Sequence, residues 1–154
     1  MPQKTIREIP ANPLLQDTRK RKKNLRVAAY CRVSTEEEEQ QSSFEIQVEY
    51  YTNKINSHDN WKLVKIFADY GISGVQVKKR TQFLEMIELC KKKKIDLILT
   101  KSISRFARNT LECIQYVRML KSLGIPVIFE KEGINTADMT SEMILTCLCH
   151  GRIR

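Results

Sequence analysis

Apolar residues along the chain alternate between short β-prone runs and longer segments with a helical period. The run at residues 25–31 is followed by a segment in which apolar side chains recur every three or four residues: Phe44, Val48, Tyr51 and Ile55. The later predicted strands are residues 63–68, 95–100 and 125–129, and the later helical stripes begin at Phe83, Leu111 and Met139. Four strand–helix units in succession predict an α/β fold with a mainly parallel sheet of four or five strands and helices on both faces.

The helix after the third strand carries the clearest boundary signals. Asn109 is its predicted N-cap with Glu112 three residues later, and Gly124 followed by Pro126 ends it. The apolar stripe of this helix is predicted to comprise Leu111, Ile114, Val117, Leu120 and Leu123.

Positive charge is concentrated before the first strand. The 154 residues have a net charge of +9, and residues 1–24 contain seven Lys or Arg against two Asp or Glu. We interpret residues 1–24 as a flexible basic arm ahead of one domain. A basic chain of this kind is typical of proteins with a polyanionic partner, either nucleic acid or an anionic membrane surface. The candidate phosphate contacts in the arm are Arg19, Lys20, Arg21, Lys22 and Lys23.

Cysteine usage and hydropathy favour an intracellular, cytoplasmic protein without a membrane partner. No run approaches the roughly 18 apolar residues of a membrane span, and the arm lacks the apolar centre of a secretory signal. Three of the five cysteines lie in apolar periodic segments, so we expect reduced core thiols. The five are Cys31, Cys90, Cys113, Cys147 and Cys149.

Residues directly after the predicted strands are the first candidates for a site, because ligands of open parallel sheets bind beyond the carboxyl ends of strands. If the first strand stays extended, Tyr30, Arg32 and Ser34 lie on one side. Arg105 and Arg108 are three residues apart, which places them on one face of a helical turn. Guanidinium groups suit phosphate oxygens, and a serine beside them is positioned to attack. Ordinary surface arginines and a turn serine are the alternative from residue chemistry alone.

Several motifs in a fixed order resemble the catalytic domain of the serine recombinase (resolvase/invertase) family. They are YCRVST at 30–35 with Gln47, DYGISG at 69–74 with Arg80, SRFAR at 104–108 and EGINT at 132–136. The resemblance covers roughly residues 25–148. The arm and the third motif are more similar to the large serine recombinases of bacterial mobile elements than to the small resolvases.

The resemblance implies that Ser34 attacks a DNA phosphate, forming a 5′-phosphoserine link and freeing a 3′-hydroxyl, with no metal or other cofactor. Arg32, Arg105 and Arg108 would bind the scissile phosphate. The full set of implied catalytic residues is Ser34, Arg32, Arg105, Arg108, Arg80, Gln47 and Asp69. Further DNA contacts are expected from Tyr30, Lys101 and Ser104.

The resemblance also implies self-association. Relatives dimerise and exchange strands in a tetramer that holds two DNA sites, and the segment from about Met139 resembles the start of their assembly helix. We interpret residues 149–154 as a truncated or altered tail, and we expect no DNA-reading domain after them.

Two departures and two alternative functions accompany this interpretation. Ser104 stands where many relatives have Asp, and Thr81 where many have Pro.

A zinc site at residues 147–150 has too few ligands to be favoured. A non-catalytic resolvase-like remnant that binds DNA or dimerises is the alternative function. A flavodoxin-like nucleotide module ranks lower, because residues 31–41 contain no glycine.

Overall fold

Strands and helices alternate along most of the chain, as the hydrophobic pattern predicts. The computed structural model describes residues 24–33, 37–70, 80–140, 143 and 146, without the side chains of residues 37–42. The elements are β1 (Leu25–Val33), α1 (Glu37–Asn56), β2 (Trp61–Tyr70), α2 (Thr81–Lys91), β3 (Leu97–Thr100), α3 (Ile103–Phe106), α4 (Thr110–Ser122), β4 (Val127–Phe129), β5 (Ile134–Asn135) and a 3₁₀ turn (Thr136–Asp138).

The strands form one five-stranded sheet in the order β2-β1-β3-β4-β5. The first four are parallel, and β5 runs antiparallel to β4. This confirms the predicted mainly parallel sheet. The chain turns back into β5 at Gly133, whose φ of 64° lies in the left-handed region that glycine adopts most easily.

Helices cover both faces of the sheet, as predicted. Side chains of β1 alternate between the two faces because the strand has a period of two. Ala28 and Tyr30 pack with α2 and α4, whereas Val27, Ala29 and Cys31 pack with α1. The buried residues of α2 are those of the predicted stripe, namely Phe83, Met86, Ile87 and Cys90.

One residue of the α4 stripe was predicted wrongly. Leu111 is 67% exposed, and Cys113 is buried in its place. At about 100° per residue, Leu111 lies about 130° around the helix from the centre of the buried stripe. A leucine in the first turn can therefore satisfy the helical spacing to Ile114 and still face solvent.

The predicted final helix begins later than Met139. Met139 has an extended backbone and Thr140 is not helical, whereas Met143 and Thr146 are. The Thr140 hydroxyl accepts a hydrogen bond from Met143 N at 3.2 Å, which is how a threonine caps a helix start.

The described cysteines confirm the expectation of core thiols. Cys31, Cys90 and Cys113 are buried and free, and burial raises the pKa of each thiol to about 12. Cys147, Cys149 and the basic arm lie outside the described residues. In the part of the chain that the structure covers, no helix is both long and apolar enough to cross a membrane.

Candidate active site

The carboxyl ends of β1, β2 and β3 lie at one edge of the sheet and bring several of the described candidate residues together. The strand register places Arg32 opposite Asp69 on β2 and Tyr30 opposite Thr100 on β3. Arg32 is two residues beyond Tyr30, and α3 begins just beyond Thr100. The first and third sequence motifs therefore meet at the same end of the sheet.

Tyr30, Asp69 and Arg80 form a hydrogen-bonded network beneath this edge. The Tyr30 hydroxyl donates to Asp69 Oδ2 at 2.9 Å and accepts from Arg80 Nε at 3.3 Å. Tyr30 is 1% exposed and Asp69 is 9% exposed. Burial is the main cause that raises the pKa of Tyr30 to about 12; Asp69 adds to it and Arg80 opposes it. The hydroxyl therefore stays protonated at neutral pH.

Asp69 also holds the start of α2. Its carboxylate accepts hydrogen bonds from the backbone N–H groups of Gln82 at 3.0 Å and Phe83 at 2.9 Å. Arg80 occupies the N-cap position and makes no capping bond with its own side chain. Asp69, which lies on a neighbouring strand, thus accepts hydrogen bonds from N–H groups in the first turn of α2 that have no partner within the helix. Its negative charge also lies at the positive end of the helix dipole.

Arg80 is turned toward the protein interior. Its side chain is 14% exposed, and its guanidinium carbon lies 3.8 Å from the centroid of the Phe83 ring. Nη2 donates to the carbonyl oxygen of Phe106, and Nη1 lies 3.6 Å from Glu112 Oε1. Arg80 therefore joins the end of β1 to the segment that carries the third motif.

Arg32, Arg105 and Arg108 are exposed arginines of the site. Within the described part of the chain, none of their side chains makes a hydrogen bond or ion pair. Because these side chains are exposed, an anion can reach them from solvent, and a phosphate could accept two parallel hydrogen bonds from a guanidinium group.

The expected continuous helical turn between Arg105 and Arg108 is wrong. Ser102 caps α3 by accepting from Arg105 N at 3.3 Å, but Ala107 is extended with φ −136° and ψ 154°. Asn109 then caps α4 by accepting from Glu112 N at 2.8 Å. The two arginines consequently flank a break between two helices, because each helix has its own capping residue.

The remaining described candidates lie around the same edge. Lys101 and Ser104 are exposed after β3, and the hydroxyls of Ser102 and Ser104 are 3.0 Å apart. Gln47 is on the α1 side of the sheet, where its side-chain amide donates to Ser43 Oγ at 3.2 Å. Gln47 and Lys101 both line a cavity of about 570 Å³ between α1 and the ends of β3 and β4.

Glu130 in this cavity was missed by the sequence reasoning. It follows β4 directly, and its Oε2 accepts from Tyr50 Oη at 2.5 Å and from Lys54 Nζ at 2.7 Å. Burial by itself would raise the pKa of Glu130. The hydrogen bonds from these donors have the larger combined effect and hold the pKa below its ordinary value. Its sequence position directly after a buried strand could have marked Glu130 as a candidate.

Several predicted residues lie outside the described part of the chain. These are Ser34 and the arm residues Arg19, Lys20, Arg21, Lys22 and Lys23. In the sequence, Ser34 directly follows Val33, the last residue of β1, and β1 ends at the edge that carries the exposed arginines.

The exposed arginines lie at the carboxyl edge of a parallel α/β sheet, which is where domains of this class bind their ligands. Residues 27–149 match the family model for the resolvase N-terminal domain. The chain belongs to the resolvase family.

Individual relatives agree with this assignment. A resolvase/recombinase of Pseudomonas putida is 30% identical over 80% of this chain, and the Transposon Tn3 resolvase of Escherichia coli is 28% identical over the same share. The match spans 61% and 60% of the lengths of these relatives.

Solved structures show the same fold. A resolvase family site-specific recombinase from Streptococcus pneumoniae superposes with a TM-score of 0.66 at 25% identity, covering 83% of this chain and 87% of that one. The N-terminal catalytic domain of TP901-1 integrase superposes with a TM-score of 0.63 at 23% identity, covering 82% and 93%.

Proposed function

We propose that this chain is the catalytic domain of a site-specific DNA recombinase with Ser34 as its nucleophile. The observation that carries the proposal is the group of exposed arginines, Arg32, Arg105 and Arg108, at the edge where β1 leads into Ser34. Phosphoryl transfer requires positive charge around the reacting phosphate and a nucleophile beside it. Membership of the resolvase family supports the same reaction class.

In the proposed reaction, the Ser34 hydroxyl oxygen bonds to the phosphorus of a DNA phosphodiester. The Ser34 hydroxyl gives up its proton, the bond from phosphorus to the 3′ oxygen breaks, and that oxygen takes up a proton and leaves as a free 3′-hydroxyl. The 5′ end remains attached as a phosphoserine ester, and attack by another 3′-hydroxyl reverses the step and rejoins the strand. The bond energy is conserved, so the reaction requires no cofactor.

The exposed and buried residues have different roles in this proposal. The three exposed guanidinium groups bind the phosphate and offset the charge that grows on its oxygens. Lys101 and Ser104 contact the neighbouring backbone of the DNA, and Gln47 positions the segment around Ser34 from α1. Tyr30, Asp69 and Arg80 act through their contacts with β1, α2 and the third motif, since these polar groups are already used within the protein.

Assembly and location follow from the same proposal. Strand exchange requires two DNA sites, so the active form would be a tetramer built from dimers, with the segment after Thr140 joining the subunits. The basic arm at residues 19–23 would add sequence-independent contacts to DNA phosphates. A DNA substrate places the protein in the bacterial cytoplasm, at the nucleoid.

Covalent trapping tests the proposal. The 154-residue chain and its Ser34→Ala variant are incubated with a supercoiled plasmid carrying the DNA that flanks the gene. Denaturing gels then detect attached DNA, and peptide mass spectrometry identifies the linked residue. We expect an adduct on Ser34 that the variant cannot form. Ser57→Ala is the matched control, because Ser57 is an exposed serine at the end of α1, and it should leave the adduct unchanged.

Two results would contradict the proposal. An adduct that persists in Ser34→Ala means that another residue is the nucleophile. A wild-type chain that binds the plasmid but never attaches to it favours the alternative function, a non-catalytic resolvase-like protein that binds DNA or dimerises.

A further inference from the structure

The carboxylate of Glu112 lies between two arginines of the site. Its Oε2 accepts a hydrogen bond from the backbone N–H of Arg108 at 2.7 Å, and its Oε1 lies 3.6 Å from Arg80 Nη1. In an ordinary capping box, the glutamate would bond to the backbone N–H of the N-cap residue, here Asn109. Glu112 instead reaches one residue further back, to the residue whose side chain belongs to the phosphate-binding group.

Arg80 approaches the same segment from below. One nitrogen of its guanidinium donates to Phe106 O, and the other faces Glu112. That second nitrogen, Nη1, is buried and has no hydrogen bond within the described residues. The Glu112 charge, 3.6 Å away, compensates a buried cation that would otherwise be costly.

We propose that Glu112 is a positioning residue that sets the direction of the Arg108 side chain by holding both its backbone N–H and the Arg80 guanidinium. This role rests on the proposed recombinase function. Ala107 and Asn109 have extended backbones, and the backbone N–H of Arg108 between them bonds to the Glu112 carboxylate instead of to a helical carbonyl. Contacts from Glu112 and Arg80 therefore fix the backbone position from which the Arg108 side chain extends.

Loss of these contacts should affect the chemical step more than DNA binding. Arg105 and Arg108 remain exposed in a Glu112 variant, so the attraction for DNA persists. A reacting group displaced by about 1 Å can slow a reaction about 100-fold, because catalysis depends on the alignment of the groups. We expect Glu112→Ala to slow covalent attachment to DNA about 10- to 100-fold and to change the dissociation constant for DNA less than twofold.

The substitutions are chosen to separate positioning from helix capping. Glu112→Gln keeps an oxygen for Arg108 N but loses the charge facing Arg80, so it should restore part of the rate. Asn109→Ala removes the N-cap acceptor of the same helix and leaves both Glu112 contacts in place. It should destabilise α4 yet keep the attachment rate within about threefold of the wild type.

The test measures attachment rate, DNA affinity and amide hydrogen exchange at Arg108 in the full chain and these variants. Faster attachment in Glu112→Gln than in Glu112→Ala, with Asn109→Ala near the wild type, supports the proposal. Equal rates in Glu112→Ala and Asn109→Ala overturn it. If the wild type never attaches to DNA, the proposed function fails, and exchange at the Arg108 amide in the free protein decides the positioning role. Exchange that is about tenfold faster in Glu112→Ala supports it, and unchanged exchange refutes it.

Discussion

Replacing Asp69 with alanine should strongly destabilise the domain, because this carboxylate serves three donors from two elements. Its bonds to Gln82 N and Phe83 N cap α2, and loss of such a cap costs about 1 kcal/mol. The Tyr30 hydroxyl would remain buried without its acceptor, which costs about 2 kcal/mol. We therefore expect Asp69→Ala to lower the free energy of unfolding by about 3 kcal/mol.

Urea denaturation of the 154-residue chain measures this loss, with Asp59→Ala as the matched control. Asp59 is an exposed aspartate in the turn after α1, and its removal should change the free energy of unfolding by less than about 0.5 kcal/mol. Tyr30→Phe tests the shared bond, since Asp69→Ala should cost less in that background than in the wild type. A loss for Asp69→Ala no larger than that of the control would refute the capping role.

Three further predictions concern DNA binding, pH dependence and thiol reactivity. DNA binding by this chain should be weak and strongly salt-dependent, and Arg105→Gln should reduce the slope of log affinity against log salt by about 0.9, with Arg118→Gln as an exposed control on α4; equal slopes would contradict a phosphate contact. The lowered pKa of Glu130 stabilises the fold above the ordinary carboxyl range, and this stabilisation is lost as the pH falls through the folded-state pKa. Glu130→Gln should thus be less stable than the wild type by about 1 kcal/mol near pH 7, and the gap should shrink toward pH 4 in urea titrations; a constant gap would refute this linkage. The buried thiols should resist iodoacetamide at pH 8 until the protein is unfolded, because their pKa values are about 12; rapid labelling of the native protein, found by peptide mapping, would contradict their burial. The thiols are Cys31, Cys90 and Cys113.

The sheet and its covering helices could be predicted because their signals are local. Each buried strand is a short apolar run, and the four buried residues of α2 follow the helical period. β5 has only two residues, Ile134 and Asn135, so it has no periodicity to detect. The exposure of Leu111 escaped prediction because spacing from one neighbour does not fix the direction of the whole stripe.

The contacts within the site could not be predicted, because they join residues far apart in sequence. Arg80 bonds to a carbonyl 26 residues away, and Lys54 bonds to a carboxylate 76 residues away. Motif positions indicated that Arg80 belongs to the site, but not that its guanidinium points inward. The break between Arg105 and Arg108 depends on two successive capping residues, Ser102 and Asn109, which compete with a continuous helix.

Burial divides the polar residues of this site into two groups with different physical roles. A buried charge must be matched by the protein itself, so Asp69 and Arg80 are each held by several partners and would have to break those bonds to meet a substrate. An exposed arginine is matched by water, which a phosphate displaces at little structural cost. Substitutions of the buried group should therefore lower stability together with activity. Substitutions of Arg32, Arg105 or Arg108 should lower activity while the free energy of unfolding stays within about 0.5 kcal/mol of the wild type.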